Sequence, residues 1–261
     1  MIKISDMVSK PIPKAPIITL TGEAGMGKTT LAATFPKPVF IRFEDGMHSI
    51  DAGMMPDAFP ICTTFDDVRN QLMMLIREEH DYKTVVIDSV SKMDRAFIEE
   101  ILSKSKGYDE SLPESKALAL ALGGYGAGYQ ALSAMHGRIR KAAGMLNDKG
   151  MTVVFIAHSE VEILELPDSA AHNRFSLRMQ KKSIPHYVDD VDLVGQIRLE
   201  TFLTGEKDKP KKAVSDGTRV LNCAATSSAI TKNRYSITDA LTVQRGLNPL
   251  LNIIPFYNLG A

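Results

Sequence analysis

Residues 22–29 read Gly-Glu-Ala-Gly-Met-Gly-Lys-Thr, a full match to G-x-x-x-x-G-K-[ST]. The octet follows the apolar run Ile17-Ile18-Thr19-Leu20 and precedes Thr30-Leu31-Ala32-Ala33. That context predicts a buried strand, a glycine turn and a helix, the setting the motif requires. Glycines there let backbone N–H groups wrap an anion at the start of the helix. The octet therefore predicts a nucleoside triphosphate cradled by Gly22, Glu23, Ala24, Gly25, Met26, Gly27, Lys28, Thr29 and Thr30. In this reading Lys28 reaches the β- and γ-phosphates and the Thr29 hydroxyl ligates Mg²⁺. ATP and Mg²⁺ are the expected cofactors.

Beyond the octet, apolar runs alternate with helical patterns. Strands are predicted over residues 17–20, 39–43, 84–87 and 152–157. Helices are predicted over residues 29–35, from an N-cap at Asp66 or Asp67, and from about Ser91. Two more are expected across 117–146, where Gly123, Gly124, Gly126 and Gly128 interrupt a helix-forming stretch. Residues 103–115 read as a polar surface loop, and residues 158–188 as irregular and partly basic. Residues 193–202 and 218–224 read as antiparallel strands joined by a basic turn over 207–212. Together these predict an α/β fold, a mostly parallel sheet with helices on both faces and late antiparallel strands. Residues 1–16 are read as a lead-in, 17–240 as one domain and 241–261 as a C-terminal tail.

Composition narrows the partners. The 31 Lys and Arg residues balance the 31 Asp and Glu residues, so no global field draws the chain to nucleic acid or membrane. A DNA contact then needs a local basic patch. The two cysteines, Cys62 and Cys223, exclude a disulfide framework and fit a reducing compartment. No apolar run reaches the ~18 residues that span a bilayer. The proline-containing start lacks an apolar leader core. A cytoplasmic protein with no membrane partner is the expectation.

On a parallel sheet, ligands bind beyond the carboxyl ends of the strands. Gly22, Glu44, Asp88 and His158 end the four predicted strands and should converge. Val85-Val86-Ile87-Asp88 is a strand ending in a carboxylate suited to holding Mg²⁺. Glu44 is placed to activate the water that attacks the γ-phosphate, with Asp45 as its rival. His158 is placed to sense that phosphate.

With those residues in hand the chain resembles the RecA-like ATPases, in residues 22–30 and in Val85-Val86-Ile87-Asp88-Ser89-Val90. The resemblance implies a RecA-like core over 17–240, Glu44 as catalytic glutamate and His158 as the switch before a DNA-binding loop. Lys232-Asn233-Arg234-Tyr235 is similar to the motif by which RadA and DnaB-type helicases reach a neighbour's nucleotide. It implies that Lys232 and Arg234 act in a neighbouring subunit of a ring or filament. The layout is also similar to the phage single-strand annealing ATPases. That likeness implies single-stranded DNA as partner, annealing or recombination as activity, and the host cytoplasm as location. It also implies a single-stranded-DNA-binding protein as a further partner.

The DNA contact is assigned to Arg174, Phe175, Arg178, Lys181 and Lys182, cations with one stacking ring. The turn over 207–212 is the second candidate. A helicase-type motor or loader is the alternative function, and a small-molecule kinase the third.

Overall fold

The computed structural model describes residues 3, 7–8, 12–105, 109–167, 169–204 and 212–259. Its central strands are β1 (Ile17–Gly22), β2 (Pro38–Arg42), β4 (Thr84–Asp88), β5 (Thr152–Leu166) and β7 (Leu193–Leu199). With β3 (Asp57–Ala58) they run parallel in the order β7-β1-β5-β4-β2-β3. The motif strand β1 is thus one strand away from β4, with β5 between them. A strand covered on both faces must be apolar at odd and even positions alike, which is why these segments read as Val/Ile runs. In β5, Val153, Phe155 and Ala157 enter one core while Val154 and Ile156 enter the other.

The first core is closed by α2 (Phe65–Arg77), α3 (Val90–Ser103), α4 (Glu114–Leu120) and α5 (Ala127–Asp148). Ser89 caps α3, its hydroxyl accepting from the Lys92 N–H at 3.2 Å. The cap of α2 is Thr64, with Asp67 reaching back as a capping box. The expected cap at Asp66 or Asp67 lay too late: Asp67 is the third helical residue, and its carboxylate accepts the Thr64 N–H at 2.9 Å. The glycine-interrupted stretch forms α4 and α5 separated by a 3₁₀ turn, as expected.

The second core has a cover that the sequence reading did not anticipate. Among the described residues its α-helix is the short α1 (Lys28–Ala32), ending before the expected residue 35. Further cover comes from Met47, Ile50 and Ile237 and from the chain read as a tail. Leu250 and Ile254 are fully buried, and the Tyr257 hydroxyl meets the Thr152 hydroxyl at 2.8 Å. The nearly continuous apolar run over 250–257 packs against this sheet face, ending in a 3₁₀ turn at Pro255–Asn258.

Residues 158–188 also depart from the expected irregular loop. Strand β5 continues through His158 to Leu166, and β6 (Ser169–Leu177) returns antiparallel to it. The signal was present: Glu160-Val161-Glu162-Ile163 alternates with period two, and Pro167-Asp168 supplies turn chemistry. A short helix, α6 (Pro185–Val188), follows. The late antiparallel pair forms as expected, β10 (Arg219–Asn222) against β7, while β12 (Leu241–Thr242), in the chain read as a tail, adds an unexpected strand beside β10. Between β7 and β10 a small hairpin joins β8 (Phe202–Thr204) to β9 (Lys212–Val214). The basic turn over 207–212 falls largely outside the described residues.

Candidate active site

The carboxyl ends of β1, β2 and β4, and the middle of β5 at His158, border one cavity of about 450 Å³. Ala24 to Thr30 of the glycine loop, Glu44, Asp88 and His158 line it, whereas Gly22 and Glu23, expected in the same set, do not. Gly27 adopts φ 88° as the loop turns into α1, a conformation that favours glycine. Gly22 is required for another reason: a Cβ there would sit 2.5 Å from the Ile197 carbonyl oxygen on β7. Lys28 is buried and its ammonium donates to the carbonyls of Gly22 at 2.9 Å and Glu23 at 2.7 Å. Burial lowers its pKa, opposed by the charges of Asp88 and Glu44.

Thr29 and Asp88 meet directly, the hydroxyl donating to Asp88 Oδ2 at 2.8 Å. Burial raises the Asp88 pKa, and the Thr29 hydrogen bond and the Lys28 charge pull it back. A hydroxyl and a buried carboxylate form a hard oxygen donor pair, which fits Mg²⁺. Among the described residues no cluster of three His, Cys, Asp or Glu side chains suits a metal. Thr29 and Asp88 would hold such a cation where Mg²⁺ usually takes one or two protein oxygens together with phosphates.

Geometry also separates Glu44 from Asp45. Glu44 faces the cavity, accepting from the Ser89 hydroxyl at 3.3 Å and from His158 Nε2 at 3.2 Å. Asp45 turns outward to Arg42 and His48 and does not line the cavity. An ionised carboxylate only accepts, so His158 carries its proton on Nε2 in this contact. That hydrogen bond holds the Glu44 pKa below the ordinary carboxylate value, against burial, which raises it. Turnover that needs ionised Glu44 is then present above this lowered pKa and lost as pH falls through it. In His158→Ala the raising effect of burial goes unopposed by that bond. The acid limb of kcat/KM should move to higher pH; an unmoved limb would separate His158 from Glu44.

Sequence reasoning missed part of the wall. Arg219 and residues 243–246 also line the cavity. Because β10 runs antiparallel to β7, its first residue, Arg219, lies at the carboxyl end of the parallel strands. The Val243 N–H donates to the Arg219 carbonyl at 2.8 Å, which brings the next loop to the same mouth. There Arg245 pairs with Asp51. The available signal was one arginine opening a short strand and another three residues after its antiparallel partner, legible only once the pairing is known.

The remaining predicted residues do not join this cavity. Lys232 opens β11 (Lys232–Asn233), which pairs with Leu193 and Val194, and Arg234 follows it. Those residues lie near the start of β1, since Leu193 pairs with Ile18, at the opposite end from the glycine loop. Lys232 donates to the carbonyls of Val188 and Asp189 at the end of α6, and Arg234 to Asp192 at 2.9 Å. The DNA set is not one basic face. Arg174 is held by Glu162 at 2.6 Å, and Lys181 lies 3.7 Å from the same carboxylate. Phe175 is half-buried, and its backbone is tied to Ser228 and Ile230. Arg178 and Lys182 are exposed, and Arg178 is close enough for its charge to lower the Lys28 pKa.

No helix among the described residues is long and apolar enough to cross a membrane. No curated protein matches the chain significantly. The family model described as an AAA domain matches residues 14–235, from the lead-in to the segment after β11. A glycine loop after a parallel strand, with Asp88 and Thr29 in contact beside it, is the P-loop ATPase core that this match requires. The chain belongs to the AAA domain family.

Proposed function

We propose that this chain hydrolyses ATP at the glycine-loop cavity and uses the nucleotide to control binding of single-stranded DNA, in annealing or recombination of the phage type. Lys28 and the loop N–H groups compensate the β- and γ-phosphate charge. Glu44 takes a proton from water as the water oxygen bonds to the γ-phosphorus and the bond to the β-phosphate oxygen breaks. ADP leaves and phosphate forms. Mg²⁺, held by Thr29 and through Asp88, would neutralise charge on the β- and γ-oxygens.

One observation supports the DNA half of the reading. The Arg178 N–H donates to the His158 carbonyl at 2.8 Å, and the His158 ring meets Glu44. The cationic segment 178–182 therefore starts two contacts, with His158 between, from the carboxylate proposed as the base. A change at the γ-phosphate has a mechanical route to Arg178, Lys181 and Lys182.

Phosphate contacts release counterions, so affinity for single strands should fall linearly with log salt, by about 0.7 in slope per contact. The variant Arg178→Ala, Lys181→Ala, Lys182→Ala should bind an oligodeoxynucleotide more weakly with a shallower slope, measured by fluorescence anisotropy. An unchanged slope would remove this segment from the DNA path. Self-assembly belongs to the same reading, with Arg234 serving a neighbour's cavity. Turnover per chain should then rise with protein concentration, and a flat dependence would place the whole site within one chain.

A further inference from the structure

Between α4 and α5 the chain makes a turn that displays one ring. Tyr125 has a relative exposure of 105%, beyond even a reference extended peptide. It adopts φ 54°, and Leu122 in the same turn adopts φ 55°. Side chains rarely take this conformation, and where they do the surrounding structure must impose it. Here it is imposed by hydrogen bonds from the Gly124 N–H to the Ala121 carbonyl, from Gly126 to Ala119 and from Ala127 to Gly124. Core packing does not account for an aromatic held outward by a strained and well-bonded turn. Its ring is available to a partner.

The surroundings narrow that partner. A Cβ on Gly126, the next residue, would lie 3.7 Å from the Tyr129 ring. The Lys182 ammonium sits 5.7 Å over the centre of the Tyr129 ring. Ser133 on α5 donates to the Lys182 carbonyl at 3.1 Å and so ties that lysine's backbone to α5. Tyr129 also lines a groove of about 330 Å³ together with Arg95, Arg178 and Lys181. Glu114 and Glu160 share that groove, and Arg95 answers Glu114 at 3.2 Å. Tyr129 beside Arg178, Lys181 and Lys182 sets one ring among cations for a backbone, and Tyr125 stands four residues earlier, where the turn enters the same helix. That pairing suits unpaired nucleotides, whose bases offer a π-face whatever their sequence. A protein partner would use the apolar turn but not the cations behind it.

We infer that Tyr125 is a base-stacking residue for single-stranded DNA, with Tyr129 and Lys182 continuing the path toward Arg178. This rests on the proposed DNA binding and replaces Phe175, half-buried against residues 228–230, as the stacking ring. The chain has no tryptophan, so Tyr125→Trp gives a lone indole reporter. Its fluorescence should be quenched when oligodeoxythymidylate of about 20 nucleotides is added, since stacking places a base on the ring. Tyr125→Ala should lower affinity for the same oligonucleotide on the order of 5- to 100-fold, the loss expected for one stacked base. Tyr125→Phe, which keeps the ring, should restore it. The side chain is solvent-exposed, so thermal unfolding of each variant should match the parent. Parent-like affinity in Tyr125→Ala, with DNA binding intact in the parent, overturns the stacking role alone. A changed sedimentation coefficient with unchanged DNA affinity overturns it in favour of a protein contact. No binding of the oligonucleotide by the parent overturns the DNA reading and this inference together.

Discussion

Lys28→Ala will lose ATP turnover by at least about 10²-fold, the scale on which removal of one preorganised electrostatic contact acts. The reason lies in where the ammonium sits. It is buried at the base of the cavity, fixed by the carbonyls of Gly22 and Glu23, and faces the carboxylates of Asp88 and Glu44. Without it, triphosphate charge would meet two acidic side chains with no buried cation from this loop to offset them. Nucleotide binding should weaken along with turnover, because the lysine acts on bound ATP as well as on the transition state. Titration with a fluorescent ATP analogue checks the first effect and phosphate release the second. Parent-like values in both would move the nucleotide away from the glycine loop.

Glu44→Gln should separate binding from chemistry. The amide keeps the size of the carboxylate, and its carbonyl can still accept from Ser89 and His158. It cannot take the proton of the attacking water. Turnover should fall about 10²- to 10⁴-fold, the usual contribution of a general base, while nucleotide affinity stays near the parent's. Single-turnover phosphate release against analogue binding reads the two separately. Undiminished turnover would remove Glu44 as the base, and Asp45 faces the wrong way to replace it without a rearrangement.

The residues that were legible in the sequence share a local cause. Val85, Val86 and Ile87 declare a strand buried on both faces, and the glycine octet declares its own turn. Because parallel strands share one carboxyl end, Glu44, Asp88 and His158 could be placed together before any coordinates. What escaped depends on pairing between distant segments. Arg219 and Arg245 reach the cavity only because β10 lies against β7 and β12 against β10. Leu250 and Ile254 look like a tail until the uncovered sheet face is known. Arg174 reads as a free cation until β6 folds back and sets it against Glu162 across the hairpin. Tyr125 carries no periodic signal at all; its exposure follows from the bonding of one turn.

The central claim is that nucleotide chemistry and single-stranded DNA meet through His158 and the segment 178–182. Steady-state ATP turnover of the parent chain, titrated with single-stranded DNA and with duplex of the same sequence, tests it most directly. The account predicts that single strands change turnover saturably and that duplex does so weakly or not at all. Turnover that is equal with no DNA, with single strands and with duplex would contradict it.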